Sequence, residues 1–182
     1  MATSLLDQRN ADGRTPLELS AILGRVEMIS VLLQFGANVN LANCGGYTPA
    51  HYAAAWGQTQ ILKLLIEAKA DLTLTNSIGE TPHQMALRYG QMECIDFIDW
   101  IEAKTNLEFT IKRMQERLTE SERRPTKEEK NLVLNACKEK LAWLESVTMP
   151  TTQDFIVQQE LLEAALNPVI AKLLSHYVSE KK

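Results

Sequence analysis

An all-α protein in two parts is predicted: a solenoid of three helix–turn–helix repeats, fused through a long helix to a C-terminal helical bundle. Three observations carry that prediction. The first is a 33-residue period. Gly13, Gly46 and Gly79 share a column, as do Thr15, Thr48 and Thr81, then Pro16, Pro49 and Pro82, Gly24, Gly57 and Gly90, and Ala37, Ala70 and Ala103. Such a period marks stacked supersecondary units, none of which can bury its apolar face alone. The second is the confinement of all eight glycines to the first half, the last being Gly90. Glycine serves turns that need positive φ, so turns crowd the chain before residue 90 and thin out after it. The third is the stretch Gln91 to Arg124, which lacks glycine and proline and keeps apolar residues at helical spacing. The array is therefore placed at 1–103, with repeats at about 11–43, 44–76 and 77–103, and the bundle at 104–182.

Each repeat reads as turn, helix, turn, helix. In the first, Thr15 caps a helix that begins at Pro16, a position that loses nothing by lacking its N–H. That helix ends at Gly24. A second, apolar-rich helix runs from Val26 to Leu33, and Gly36 after it suits a left-handed cap.

The segments GRTPLELSAILGRVEMISVLLQFGANVN, GYTPAHYAAAWGQTQILKLLIEAKADLT and GETPHQMALRYGQMECIDFIDWIEAK resemble the ankyrin repeat, over roughly residues 3–103. The resemblance implies a curved stack whose hairpin tips and inner helices bind other proteins, with no catalysis. It also implies that His51 is structural, because the family's histidine hydrogen-bonds within the repeat loops; Glu18 and Gln84 replace it in the other two copies. Lys69 stands in the column of Gly36, at a cost of about 1 kcal/mol if that backbone is left-handed. Asp99 stands in the column of Leu33 and Ile66, so a fourth repeat could not cover it and the array ends there. Leu6 to Asn10 falls in register with Val39 to Asn43, as though an earlier repeat preceded it; a truncated or short form is expected.

The candidate binding residues follow from the columns that the resemblance turns toward the concave face. One is Leu19, Tyr52 and Met85; another, one helical turn on, is Leu23, Trp56 and Tyr89; Tyr47 sits at a hairpin tip. Aromatic side chains bury large areas at small entropic cost and recur at binding hot spots. Packing between neighbouring repeats is the plainer alternative.

Beyond the last repeat, Ile95, Ile98, Ile101, Leu107, Ile111, Met114 and Leu118 form one helical stripe, which predicts a continuous helix and a stiff joint. Glu120 to Arg124 reads as a polar connection ending at Pro125. Thr126 and Glu129 then form a capping box for a helix that buries Val133, Cys137, Leu141 and Leu144. After Pro150, Thr152 opens a helix through Phe155, Leu162 and Leu166. Asn167-Pro168 opens a last one through Val169, Ile170, Leu173, Leu174 and Tyr177, making four amphipathic helices that need one another's cover.

Ala103-Lys104-Leu107-Glu108, Cys137-Trp143-Leu144 and Asn167-Pro168-Ile170 are similar, in order and spacing, to the C-terminal lid of the seventy-kilodalton heat-shock chaperones. That lid closes over a peptide held in a β-sandwich under the control of an ATPase. Neither of those parts is recognisable in these residues, and Ser179-Glu-Lys-Lys182 stands where the chaperones carry an acidic end motif.

Chemistry is sparse. The 19 basic and 23 acidic side chains, net charge −4, argue against a surface for nucleic acid. Arg123, Arg124, Lys127 and Lys130 cluster, but Glu122, Glu128 and Glu129 dilute them. Cys44, Cys94 and Cys137 lie far apart, which fits a reducing compartment better than a disulfide scaffold. His51, His83 and His176 have no partner at metal-ligand spacing, and no phosphate loop or nucleophile elbow occurs. No run is long enough to span a membrane, and Met1 to Leu5 has no signal-peptide pattern. The expectation is a soluble cytoplasmic scaffold or adaptor, not an enzyme, needing no cofactor or metal, whose partners are other proteins and which can form a homodimer. The alternative is a chaperone-associated factor whose bundle binds chaperones or their regulators.

Overall fold

The computed structural model describes residues 5–120 and 125–179, with side chains as far as Lys172 except that of Glu120. The described residues are helical or irregular, with no strand among them, and they divide into two compact units between Ile98 and Asp99.

In the first unit a 3-10 turn, η1 (Leu5–Asp7), leads into three helix pairs: α1 (Pro16–Ile22) with α2 (Val26–Gln34), α3 (Pro49–Ala55) with α4 (Thr59–Glu67), and α5 (Pro82–Arg88) with the start of α6 (Met92–Glu120). The three first helices start alike. Thr15, Thr48 and Thr81 each hold extended backbone one residue ahead of a proline, and each closes a capping box with the residue three further on. That partner differs in every copy, yet does one job. The Thr15 N–H donates to Glu18 Oε2 at 2.9 Å, that of Thr48 to His51 Nδ1 at 3.1 Å, and that of Thr81 to Gln84 Oε1 at 2.9 Å. The column tolerates carboxylate, imidazole and amide because only an acceptor at that reach is required.

Small side chains let the short helices approach. Ala21, Ala50, Ala53, Ala54 and Ala86 are buried, and Ile29, Leu32, Ile61, Leu62, Leu65 and Ile98 from the second helices complete the core. Gly24, at φ +67°, both ends α1 and makes room: a Cβ there would lie 2.9 Å from the Gln58 amide of the next repeat.

The second unit contains the remainder of α6 and two long helices, α7 (Lys127–Ser146) and α8 (Thr152–Ser179). α6 passes the repeat boundary without a break, as the lack of glycine and proline dictates. Leu107, Ile111, Met114 and Leu118 of α6 pack with Val133 and Cys137 of α7 and with Phe155, Leu162, Leu166, Val169 and Ile170 of α8. Trp100 and Trp143 both meet Phe155 edge-on, with centroids 5.4 and 5.6 Å apart, and the Trp100 indole N–H donates to the Pro150 carbonyl at 2.8 Å.

Two expectations are corrected here. The separate helix expected at Asn167-Pro168 does not exist, because Pro168 lies inside α8. A proline inside a helix removes one hydrogen bond and crowds the carbonyl of residue i−4, here Ala164. Leu162 and Leu166 before it and Val169 and Ile170 after it are all buried, and that burial on both sides outweighs the loss. On α7 the buried stripe is Val133, Cys137 and Lys140; Leu141 is exposed and Leu144 half-buried. At about 100° per residue, position 140 lies roughly 20° from 133 around the axis, whereas 141 lies roughly 80° away. The stem of Lys140 fills the stripe, and its Nζ donates to Gln158 Oε1 of α8 at 2.8 Å. The capping box of Thr126 and Glu129 forms as expected, and Thr151 with Asp154 makes a second at the head of α8. The connection at 121–124, with Arg123 and Arg124, lies outside the described residues, as do the side chains of Leu173, Leu174, His176 and Tyr177.

Candidate protein-binding face

The loops between repeats are built by an asparagine that recurs every 33 residues. Asn10 Oδ1 accepts the N–H groups of Asp12 and Arg14, both at 3.0 Å. Asn43 Oδ1 accepts those of Gly45 and Tyr47 at 2.9 and 3.1 Å, and Asn76 Oδ1 those of Ile78 and Glu80 at 3.1 and 2.9 Å. One side chain thus satisfies two backbone donors in a loop too short to pair them otherwise. A second series ties neighbouring repeats. Asp7 Oδ1 accepts the Asn38 N–H at 2.9 Å, and Asn40 Oδ1, one period later, accepts the Asp71 N–H at 2.8 Å. The asparagine column escaped the sequence reading although the same self-comparison contains it.

His51 belongs to this loop scaffold. The Thr48 N–H can only donate, so Nδ1 is the acceptor and Nε2 carries the proton, which it gives to the Glu80 carbonyl of the next repeat at 3.0 Å. Burial lowers its pKa, opposed by that carbonyl and by the Glu80 carboxylate. The ring is neutral and fully committed, which is a structural role. Arg88 holds the Glu80 carboxylate in an ion pair.

The seven candidate binding residues divide into two groups. Tyr47, Tyr52 and Met85 are engaged within the array. Tyr47 stacks on Tyr52, with centroids 5.7 Å apart, and meets His51 edge-on. Tyr52 receives the Asn43 amide on its hydroxyl at 2.7 Å and the Arg14 guanidinium over its ring, and burial raises its pKa. Met85 is buried, its sulfur 3.7 Å from Asn76 Nδ2. Leu19, Leu23, Trp56 and Tyr89 present surface. The last three occupy one column at the ends of α1, α3 and α5, and their exposures are nearly equal at 57%, 59% and 56%. Each follows the last residue of its helix and precedes a glycine with φ near +70°, so the backbone that ends the helix also directs the side chain outward.

Among the described residues no cluster of His, Cys, Asp and Glu could hold a metal, and no helix is long and apolar enough to cross a membrane. Cys94 and Cys137 are buried thiols with pKa values pushed up by burial. The face can offer apolar area and a few hydrogen bonds, which is the chemistry of recognition.

A repeated helix pair with threonine-proline starts, loop asparagines and an exposed column at the ends of the first helices defines an ankyrin-repeat protein, and the chain belongs to that family. The family described as Ankyrin repeats (3 copies) matches residues 1–76. The chain is similar to ankyrin repeat domain-containing protein 45 of Mus musculus, at 49% identity over 175 residues, covering 94% of this chain and 71% of the relative. It is also similar to the proteins of that name from Danio rerio, 37% identical over 83 residues, and Homo sapiens, 34% over 83 residues; each alignment covers 44% of this chain. The matched part spans 37% of the Danio rerio relative and 31% of the human one. Ankyrin repeats mediate binding to other proteins, and proteins of the family are in general non-enzymatic interaction modules.

Proposed function

We propose that the protein is an adaptor whose repeats, within residues 1–103, hold a partner protein along Leu23, Trp56 and Tyr89, with Leu19 at the edge of the contact. The observation that carries this is the equal exposure of three large apolar side chains at one position of three successive repeats. The array buries the apolar column of Leu32, Leu65 and Ile98 in all three copies, so an unburied column costs solvation unless something covers it. Tyr47, Tyr52 and Met85 are held within the array by contacts of their own. The 104–182 bundle serves as a second, lid-like element of the adaptor. Of its chaperone-like motif residues, Leu107, Cys137 and Ile170 lie in the core, while Glu108, Asn167 and Pro168 are exposed. A reducing, cytoplasmic setting suits three cysteines that form no disulfide.

The test is to capture partners by crosslinking in cells and measure the affinity of each for the wild type and for a Leu23→Ala, Trp56→Ala, Tyr89→Ala chain. Loss of at least about 30-fold in affinity is expected, since hot-spot truncations cost about 2 kcal/mol or more. A mutant with unchanged circular dichroism that bound every partner as before would end the assignment.

A further inference from the structure

On the reading that Leu23, Trp56 and Tyr89 form the binding column, their spacing limits the backbone that lies on it. The three residues share nearly one conformation, with φ −84°, −98° and −95° and ψ 0°, +8° and +4°. Their side chains therefore leave three like helix ends in one direction. α1 packs on α3, and α3 on α5. Packed helices lie about 8–10 Å apart, and the buried alanines of these three, Ala21, Ala53, Ala54 and Ala86, favour the lower end of that range. The column is thus a ladder of three apolar rungs at one repeating interval.

A ligand that meets all three rungs must present side chains at that interval along one face. A β-strand presents them at about 6.6 or 13 Å, since alternate residues face away. An α-helix returns to one face after about 5–6 Å, or after seven residues and about 10.5 Å with a drift of about 20° each time. A polyproline II segment rises about 3.1 Å per residue with three residues per turn, so i, i+3 and i+6 fall on one line about 9.3 Å apart. The chemistry agrees with the interval. Aromatic surfaces are what proline-rich segments dock on. The Trp56 indole N–H and the Tyr89 hydroxyl are hydrogen-bond donors on exposed side chains. A proline-rich backbone offers carbonyl acceptors without internal partners, and few N–H groups that need acceptors in return.

We infer that the column reads a polyproline II segment of the partner, with proline or an aliphatic residue at i, i+3 and i+6, one over each of Leu23, Trp56 and Tyr89. Such a segment is stiff before it binds, so ordering it costs little, which suits a face of three contacts.

The register is tested with random peptides of about twelve residues, long enough for three rungs, displayed on phage. They are selected on the full chain and, in parallel, on the Leu23→Ala, Trp56→Ala, Tyr89→Ala chain. Sequences retained by the wild type alone should carry proline or aliphatic residues three apart. In a synthetic copy of the tightest binder, one alanine inserted between two rungs throws the next rung off the line and should weaken binding at least about tenfold. Leucines seven apart, strictly alternating apolar residues, or no sequence that tells the two chains apart would each overturn the inference, as would an insertion without effect. The same peptide should also displace any captured partner whose binding the triple substitution weakens. A partner that needs the column but is not displaced leaves the adaptor reading standing and overturns the polyproline one.

Discussion

The two units solve one problem, holding helices together, by opposite means. The first uses helices of 7 and 9 residues, too short to stand alone, since isolated helices below about 12–15 residues are marginal in water. Their chain reverses direction so often that the loops leave many backbone donors to be satisfied, and polar side chains recurring every 33 residues satisfy them. The second uses helices of 20 and 28 residues together with the latter part of α6. These satisfy most of their own backbone groups and are held by large apolar side chains meeting at Phe155. The array is thus a polar scaffold around a thin core of alanine and aliphatic residues. The bundle is a thick core with caps.

That contrast breaks hardest at Phe155. It is buried, and two tryptophan rings rest on it edge-to-face. Phe155→Ala removes the ring and leaves a cavity that Trp100 and Trp143 can only partly close. The expected loss is about 3–5 kcal/mol, read from thermal or denaturant unfolding followed by tryptophan fluorescence. A loss below about 1 kcal/mol would mean that the bundle is not organised around this contact.

In the array the equivalent damage is polar and graded. Asn76→Ala removes a buried acceptor and leaves the part-buried N–H groups of Ile78 and Glu80 without it, at about 1–2 kcal/mol. Asn10→Ala removes the same two bonds where water can replace them, and should cost no more than about 0.5 kcal/mol. Denaturant midpoints of the two variants check the order. If both cost the same, solvent access does not set the value of this column.

The repeat's punctuation was legible because threonine, proline and glycine do local work that any copy must repeat, and the three capping boxes and the uninterrupted α6 follow from it directly. The loop asparagines were equally periodic. They went unread because an asparagine among polar neighbours looks like ordinary loop composition until its two donors are seen. In the bundle, type misled where angle would not have. Leu141 is apolar and Lys140 charged, yet the 3.6-residue turn places the lysine stem on the seam. Pro168 reads as a helix start in isolation, and only tertiary burial on both sides keeps α8 whole. On the candidate face, the period aligns Leu19, Tyr52 and Met85 but cannot tell that Asn43 and Asn76 draw the latter two into the array.

A gain in stability tests whether the period itself is optimised. After α2 the chain turns through Gly36 at φ +86°, with the Gly36 N–H on the Leu33 carbonyl and the Ala37 N–H on that of Leu32. After α4 the same two bonds recur, from Lys69 to Ile66 and from Ala70 to Leu65, but Lys69 adopts φ +69° with a Cβ. A left-handed residue other than glycine costs about 1–2 kcal/mol, and glycine's greater freedom in the unfolded chain returns part of that. Lys69→Gly should therefore gain about 1 kcal/mol, raising the midpoint by about 2–4 °C, and Gly36→Lys should lose about as much. The Asn40 amide bonds the Lys69 carbonyl, not its side chain, so the substitution leaves that link intact. A neutral Lys69→Gly would show that the loop hydrogen bonds, and not backbone preference, set the cost of the turn. The array's stability would then rest on its polar columns even where the glycine column lapses.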